Sequence, residues 1–277
     1  MNSTIHSILR YIRRKTYSLI RKNYPATILI NFATLPFMQA ISFPIHCYGK
    51  CKFHDLRGRI ILDGPIRNGM IRIGYRWLDL WPVSYLPTQI RIGGNIVFKG
   101  NCIIGGGVSL AAQGSNSLIV LGHNVHICSG TIIKAMKRIE IGPQTSIGAA
   151  NCIMDSNMHF IKEMDSGVIY PHTAPIVIGT HCWLNYGTVV SKGSIIPDYI
   201  ISGRDTFFSG DYSEYEAGTM FVGAPAKPLK NKKQRIFNVS TEKRISIFFK
   251  ENPDATEYSL KPGLEIDESA DRLSDEY

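Results

Sequence analysis

Residues 178–208 repeat on a period of six, reading IGTHCW, LNYGTV, VSKGSI, IPDYII, SGRDTF and then Phe208. The first position of each hexad holds Ile178, Leu184, Val190, Ile196, Ser202 and Phe208. The fifth holds Cys182, Thr188, Ser194, Ile200 and Thr206. An α-helix repeats every 3.6 residues and a strand every two, so neither gives this rhythm. A chain that turns a corner every six residues does. Three such sides close one coil of roughly 18 residues, and stacked coils form a parallel β-helix. The first-position side chain then points inward, with a small fifth-position residue beside it at the corner. A single coil cannot bury its inner face, so several must stack.

The same rhythm runs upstream with interruptions: IRIGGN, IVFKGN and CIIGGG over 90–107, LGHNVH over 121–126, IGPQTS and IGAANC over 141–152, then IMDSNMH over 153–159. It loses register at 111–117 and again over 155–175. A loop as long as the second break, inside a compact domain, is a candidate functional element.

Charge divides the chain further. Residues 1–54 carry eight Lys or Arg and no acid, whereas 251–277 carry nine acids against Lys261 and Arg272. A nucleic-acid binder places a basic stripe with interleaved aromatics on its folded body. The middle is nearly balanced apart from a basic run, Lys227, Lys230, Lys232, Lys233 and Arg235, and the charge sits mainly at an end, which argues against nucleic acid as a partner. The six cysteines show no paired zinc spacing, since Cys47 and Cys51 are the one close pair, and they read as reduced thiols of a cytoplasmic protein. Arg10 to Lys15 interrupt any early apolar run, so no secretory signal is expected.

Ile5, Ile8, Leu9, Ile12, Leu19 and Ile20 alternate with Arg10, Arg13, Arg14, Lys15, Arg21 and Lys22, the pattern of a basic amphipathic helix. Residues 1–22 could therefore make peripheral contact with an anionic membrane, or form a solvated surface helix. The apolar stretch 24–45 is long enough to span a bilayer, but Pro25, Pro36, Pro44, Asn31 and Gln39 suit packing on protein better. The expected organisation is a helical lead-in over 1–45, a β-helix over 46–230 ended by GAPAKPLK, and a C-terminal helix with an acidic, disordered tail over 231–277.

IVIGTHCWLNYG followed by TMFVGAPAKPL resembles the closing half of the hexapeptide-repeat acyltransferases, with their "IGxxxWIG" coil and "GxPAK" terminus. IMDSNMHFI is similar to the "D-x-x-x-H" segment of the branch that acetylates sugars, including maltose and galactoside acetyltransferase-like proteins and capsule or O-antigen O-acetyltransferases. The resemblance covers about 90–230. It implies an all-β, left-handed parallel β-helix, a homotrimer, acetyl-CoA as cosubstrate bound between subunits, a carbohydrate acceptor and no required metal. The spacing itself does not give the handedness, which runs against the usual right-handed crossover.

Transfer of an acetyl group from a thioester to a hydroxyl requires a base, and imidazole titrates in the right range. His159 stands where the repeat stops and the long break begins, with an acid, Asp155, close by. It is the candidate general base. Asp155 is the candidate orienting carboxylate, in the manner of a triad's third member, although an Asp at a corner also caps turns. Some sugar-acetylating relatives use an asparagine one and a half coils earlier; HICSGT, at 126–131, has none. Backbone N–H groups at corners are natural oxyanion donors. The resemblance carries cosubstrate contacts to Trp183, Tyr186, Gly203, Arg204, Gly223, Ala224 and Lys227, where Arg204 replaces a usual alanine and either blocks the pantetheine arm or pairs with a phosphate. The alternatives are N-acetylation of an amino sugar, a non-catalytic β-helix scaffold, and a zinc carbonic anhydrase-like enzyme. The last would need two histidines five residues apart, a spacing absent from this chain.

Overall fold

The structure is a computed structural model that describes residues 22–75 and 86–260. Its strands sort into three sheets of nine, seven and six. Each strand is hydrogen-bonded to the strand three places along the chain rather than to its immediate successor, except at the C-terminal edge. That is the topology of a chain wound around a triangular prism. The first face runs from Ile45–Cys47 through Val125–Ile127, Ser146–Ile147, Trp183–Leu184 and Ile201–Ser202 to Met220–Val222. The second runs from Cys51–Asp55 through Thr88–Ile92, Ser109–Ala112, Ile132–Ala135 and Cys152–Met154 to Phe207–Phe208. The third runs from Arg59–Leu62 through Arg138–Ile141 and Ile176–Ile178 to Ile195–Ile196.

Register fixes the coil length. Val177 pairs with Ile195, Trp183 with Ile201 and Val189 with Phe207, each three hexads apart. Ile139, by contrast, pairs with Ile176, so one coil carries the long break as an insertion. Every first- and fifth-position side chain of hexads 178–208 is buried. The small fifth-position groups do more than fit. Thr206 Oγ1 donates to Gly203 O at 3.0 Å and Ser194 Oγ to Ser191 O at 2.7 Å, satisfying corner carbonyls that the ladder leaves over. At Ser202 a hydroxyl takes an aliphatic position, accepts from Asn185 N at 2.8 Å and shares a hydrogen bond with Thr188 Oγ1 at 2.7 Å. Corners stack closely enough to exclude side chains: a Cβ on Gly142 would lie 2.6 Å from the carbonyl carbon of Gly179.

Helix α1, Tyr24–Thr34, lies across the open first coil. A β-helix end presents a free strand edge, and α1 satisfies it with polar groups on its buried face. Asn31 Nδ2 donates to Ile45 O at 2.7 Å, Cys47 N donates to Thr27 Oγ1 at 3.0 Å, and Asn23 Nδ2 donates to Gly49 O at 2.8 Å. The opposite side of α1, with Ile28, Leu29 and Phe32, is exposed, as are Phe37 and Met38 of the short helix α2, Phe37–Ala40. No helix among the described residues is long and apolar enough to cross a membrane. At the far end the chain reverses, and Lys227–Pro228 pairs antiparallel with Met220–Val222. Helix α3, Val239–Glu251, follows, capped by Asn238. The amphipathic pattern of 1–21 and the acidic end beyond 260 lie outside the described residues.

Candidate functional site

The long insertion leaves the β-helix at the corner between the second and third faces, after Cys152–Met154 and before Ile176–Ile178. It forms an arm folded back on itself. Ser156 bridges Thr173 and Lys162 bridges Ile169, both antiparallel, and Asn157 N donates to His172 O at 2.9 Å. Ala174 N donates to Asp155 O at 3.0 Å and closes the base. Lys192 Nζ on the following coil donates to Pro171 O at 2.5 Å. His159 stands near that base, just after the left-handed turn at Met158 (φ 64°), and is exposed. The arm carries its apolar side chains outward, with Met164 85% and Phe160 66% exposed.

Asp155 does not orient His159. Its carboxylate is fully buried and points at the preceding coil, where Oδ1 accepts from Met136 N and Oδ2 from Lys137 N and Arg138 N, all at 2.7 Å. The physical reason lies in the insertion. The arm carries the chain away from where the next corner would have stacked, so the N–H groups of 136–138 lack the carbonyls another coil would supply. The carboxylate substitutes for that missing corner. Asp155 is thus the anchor of the arm, and among the described residues His159 has no hydrogen-bond partner within its own chain.

The residues carried over as cosubstrate contacts lie toward the C-terminal end of the prism. Trp183 and Tyr186 are half-buried, on the first face and at the corner between the first and second faces. Arg204 occupies Tyr186's corner one coil later and lays its guanidinium over the Tyr186 ring, 4.8 Å from the centroid. Gly203 N donates to Phe221 O at 2.7 Å, and a Cβ on Gly203 would come within 2.8 Å of Val222 Cγ1. Gly223 and Ala224 form the exposed reversing turn, and Lys227 follows it, exposed, in the antiparallel edge strand. The structure therefore brings Tyr186, Gly203 and Arg204 together. It sets His159 apart from them, at a different corner of the same prism.

One contributor was not singled out from the sequence. Arg235 lies over Trp183 at 5.2 Å and over Phe237 at 5.6 Å, because the segment 231–237 folds back along the coils. Phe237 is buried there against His181, which stacks on Tyr199 at 4.7 Å. The basic run from Lys227 to Arg235 was the available signal, but its charge does not reveal the aromatic partner. Burial pushes the Cys182 thiol up to about 12, and Cys102 is also raised by burial, so neither is poised as a nucleophile. Among the described residues no three His, Cys, Asp or Glu side chains gather to hold a metal within one chain.

Comparison with known proteins agrees with this architecture. The chain is 30% identical over 191 residues to the putative lipopolysaccharide biosynthesis O-acetyl transferase WbbJ of Escherichia coli (strain K12), covering 66% of this chain and 90% of that one. Among solved structures it is similar to the polySia-specific acetyltransferase NeuO, with a TM-score of 0.51 at 16% identity, over 75% of this chain and 93% of that one. The second likeness is one of fold, a left-handed parallel β-helix. No family model matches the chain.

Proposed function

The chain belongs to the sugar O-acetyltransferase branch of the hexapeptide-repeat acyltransferases, and from that premise we propose that it moves an acetyl group from acetyl-CoA to a hydroxyl of a sugar or surface polysaccharide, with His159 as general base. The observation that carries the residue assignment is the position of His159: an unpaired, accessible imidazole at the root of the arm that interrupts the coils. An imidazole nitrogen takes the acceptor's O–H proton as the oxygen attacks the thioester carbonyl carbon. The new C–O bond places a pair of electrons on the former carbonyl oxygen, and a corner backbone N–H receives that charge. Collapse breaks the C–S bond, and the imidazolium returns its proton to the departing CoA sulfur. General base catalysis of this kind contributes typically about 10²–10⁴-fold.

The side chains near the C-terminal end suit acetyl-CoA. Trp183 and Tyr186 offer aromatic faces, Arg204, Arg235 and Lys227 offer charge to its phosphates, Gly223 and Ala224 leave the backbone approachable in their exposed turn, and Gly203, buried against Val222, lets the coils pack closely beside them. Because these residues and His159 occupy different corners, one chain does not hold a complete site. A corner of one copy facing a different corner of the next completes it, which is the arrangement a homotrimer provides.

The working location we propose is cytoplasmic, with residues 1–22 resting on the anionic inner face of the membrane, where lipid-linked or nascent surface glycans are reached. Deleting residues 1–22 then releases the protein from anionic vesicles, and unchanged vesicle binding contradicts that part. Incubation with acetyl-CoA and a panel of oligosaccharides, followed by mass spectrometry, tests the reaction. The product gains one acetyl group that mild alkali removes as an ester. An alkali-stable acetyl group would instead indicate N-acetylation of an amino sugar.

A further inference from the structure

Below the arm, the outward side of the second face carries a groove of about 360 Å³ that none of the roles above uses. Its walls are His54, Gln89, Arg91, Ser109, Gln113 and Lys134, with Ile132 contributing an apolar edge. These residues come from four successive coils, so the groove runs along the prism axis. Its upper end lies next to the transfer region: Lys134 pairs in register with Met154, the residue before the arm's anchor Asp155.

Two features give the groove a chemistry. The first is charge. Arg91 and Lys134 line it, no acid does, and among the described residues neither charged side chain forms a hydrogen bond or ion pair. Asp55, Arg91's register partner, feels the charge of Arg91 but is held by Arg57 at 2.9 Å on the neighbouring corner. The second is an unmet acceptor. Gln113 Oε1 is buried with no hydrogen-bond partner, a costly state that a donor from a ligand relieves. His54 Nε2 and Gln89 Oε1 already pair at 3.1 Å and form a polar wall. Cations beside amide and hydroxyl groups, in an elongated trough open to solvent, suit a ligand with both carboxylates and hydroxyls.

We propose that this groove is an acceptor subsite for an acidic oligosaccharide. Arg91 and Lys134 take its carboxylates and Gln113 takes a sugar hydroxyl, so that the glycan is threaded toward His159. The proposal rests on the reading of the chain as a sugar O-acetyltransferase, and its test measures binding without turnover so that the two can fail separately.

The full-length protein is titrated, without acetyl-CoA, with a hexasaccharide of galacturonic acid and with a neutral glucose hexasaccharide, at low and at raised salt. The acidic ligand is expected to bind about 10-fold or more tighter, with the advantage shrinking as salt screens the cations. Arg91→Gln with Lys134→Gln removes that advantage, and Gln113→Leu weakens both ligands. Circular dichroism and size exclusion check that each variant remains folded. Equal binding of the two hexasaccharides overturns the proposal, as does acidic binding unaffected by the double substitution. Displacement by millimolar inorganic phosphate also overturns it, since it would indicate a simple anion site. If His159→Ala retains activity while the groove still selects the acidic ligand, the catalytic assignment fails and the subsite stands.

Discussion

Asp155 is where sequence proximity and geometry part company. It lies four residues before His159, yet its oxygens face three backbone N–H groups of the preceding coil. Asp155→Ala leaves those three donors without their acceptor and empties a buried corner, and should cost about 3 kcal/mol in thermal or denaturant unfolding. An anchor and an orienting group differ in what else they change. Loss of an anchor lowers stability and raises the acceptor KM while the pKa governing kcat/KM stays in place; an orienting carboxylate would move that pKa. His46 makes a separate prediction. Burial, with Lys22 and Arg72 adding positive charge, lowers its pKa to about 4 from the usual 6.5, and Lys22 Nζ lies 3.1 Å from its Nε2. The unfolded chain therefore binds a proton there that the folded chain refuses. The neutral ring's contribution is complete above pH 6.5 and is lost as pH falls toward 4. With the half-exposed ring's screening allowed for, that loss is on the order of 1 kcal/mol. His46→Gln should flatten the acid side of a plot of Tm against pH.

The hexads were legible because a six-residue period comes from the backbone path itself, and each inward position then follows by counting. Phe208→Ala should cost about 3–5 kcal/mol as a buried aromatic is lost from the stack. Ser202→Ala, which strands Asn185 N–H and removes one of the Thr188 hydroxyl's hydrogen bonds, should cost about 1–2 kcal/mol. Other elements could be located in the sequence without their work being visible. In α1, Thr27 and Asn31 look like ordinary polar residues until the free edge of Ile45–Cys47 is seen beside them. Arg235 reaches Trp183 from some fifty residues away, a tertiary contact with no periodicity to announce it. The arm was legible as an interruption, and its antiparallel folding and outward apolar residues were not. Replacing 160–171 by a short Gly-Ser linker should leave the β-sheet signal unchanged, since those residues are exposed. Acetyl transfer to the glycan should fall sharply.

At the scale of the whole molecule, the separation of His159 from the Trp183–Tyr186–Arg204 coils has a direct consequence. If the site forms between copies, two variants inactive for different reasons can restore each other. Trp183→Ala with Arg235→Ala, mixed and reassembled with His159→Ala, should recover a fraction of activity, whereas a site within one chain recovers none. The central claim is the role of His159, and the most direct measurement is kcat of His159→Ala on preparations shown by light scattering to keep the native assembly and by calorimetry to keep acetyl-CoA binding. The account predicts a fall of about 10²–10⁴-fold in kcat with acetyl-CoA affinity unchanged. A kcat within a few-fold of the unaltered enzyme would contradict it.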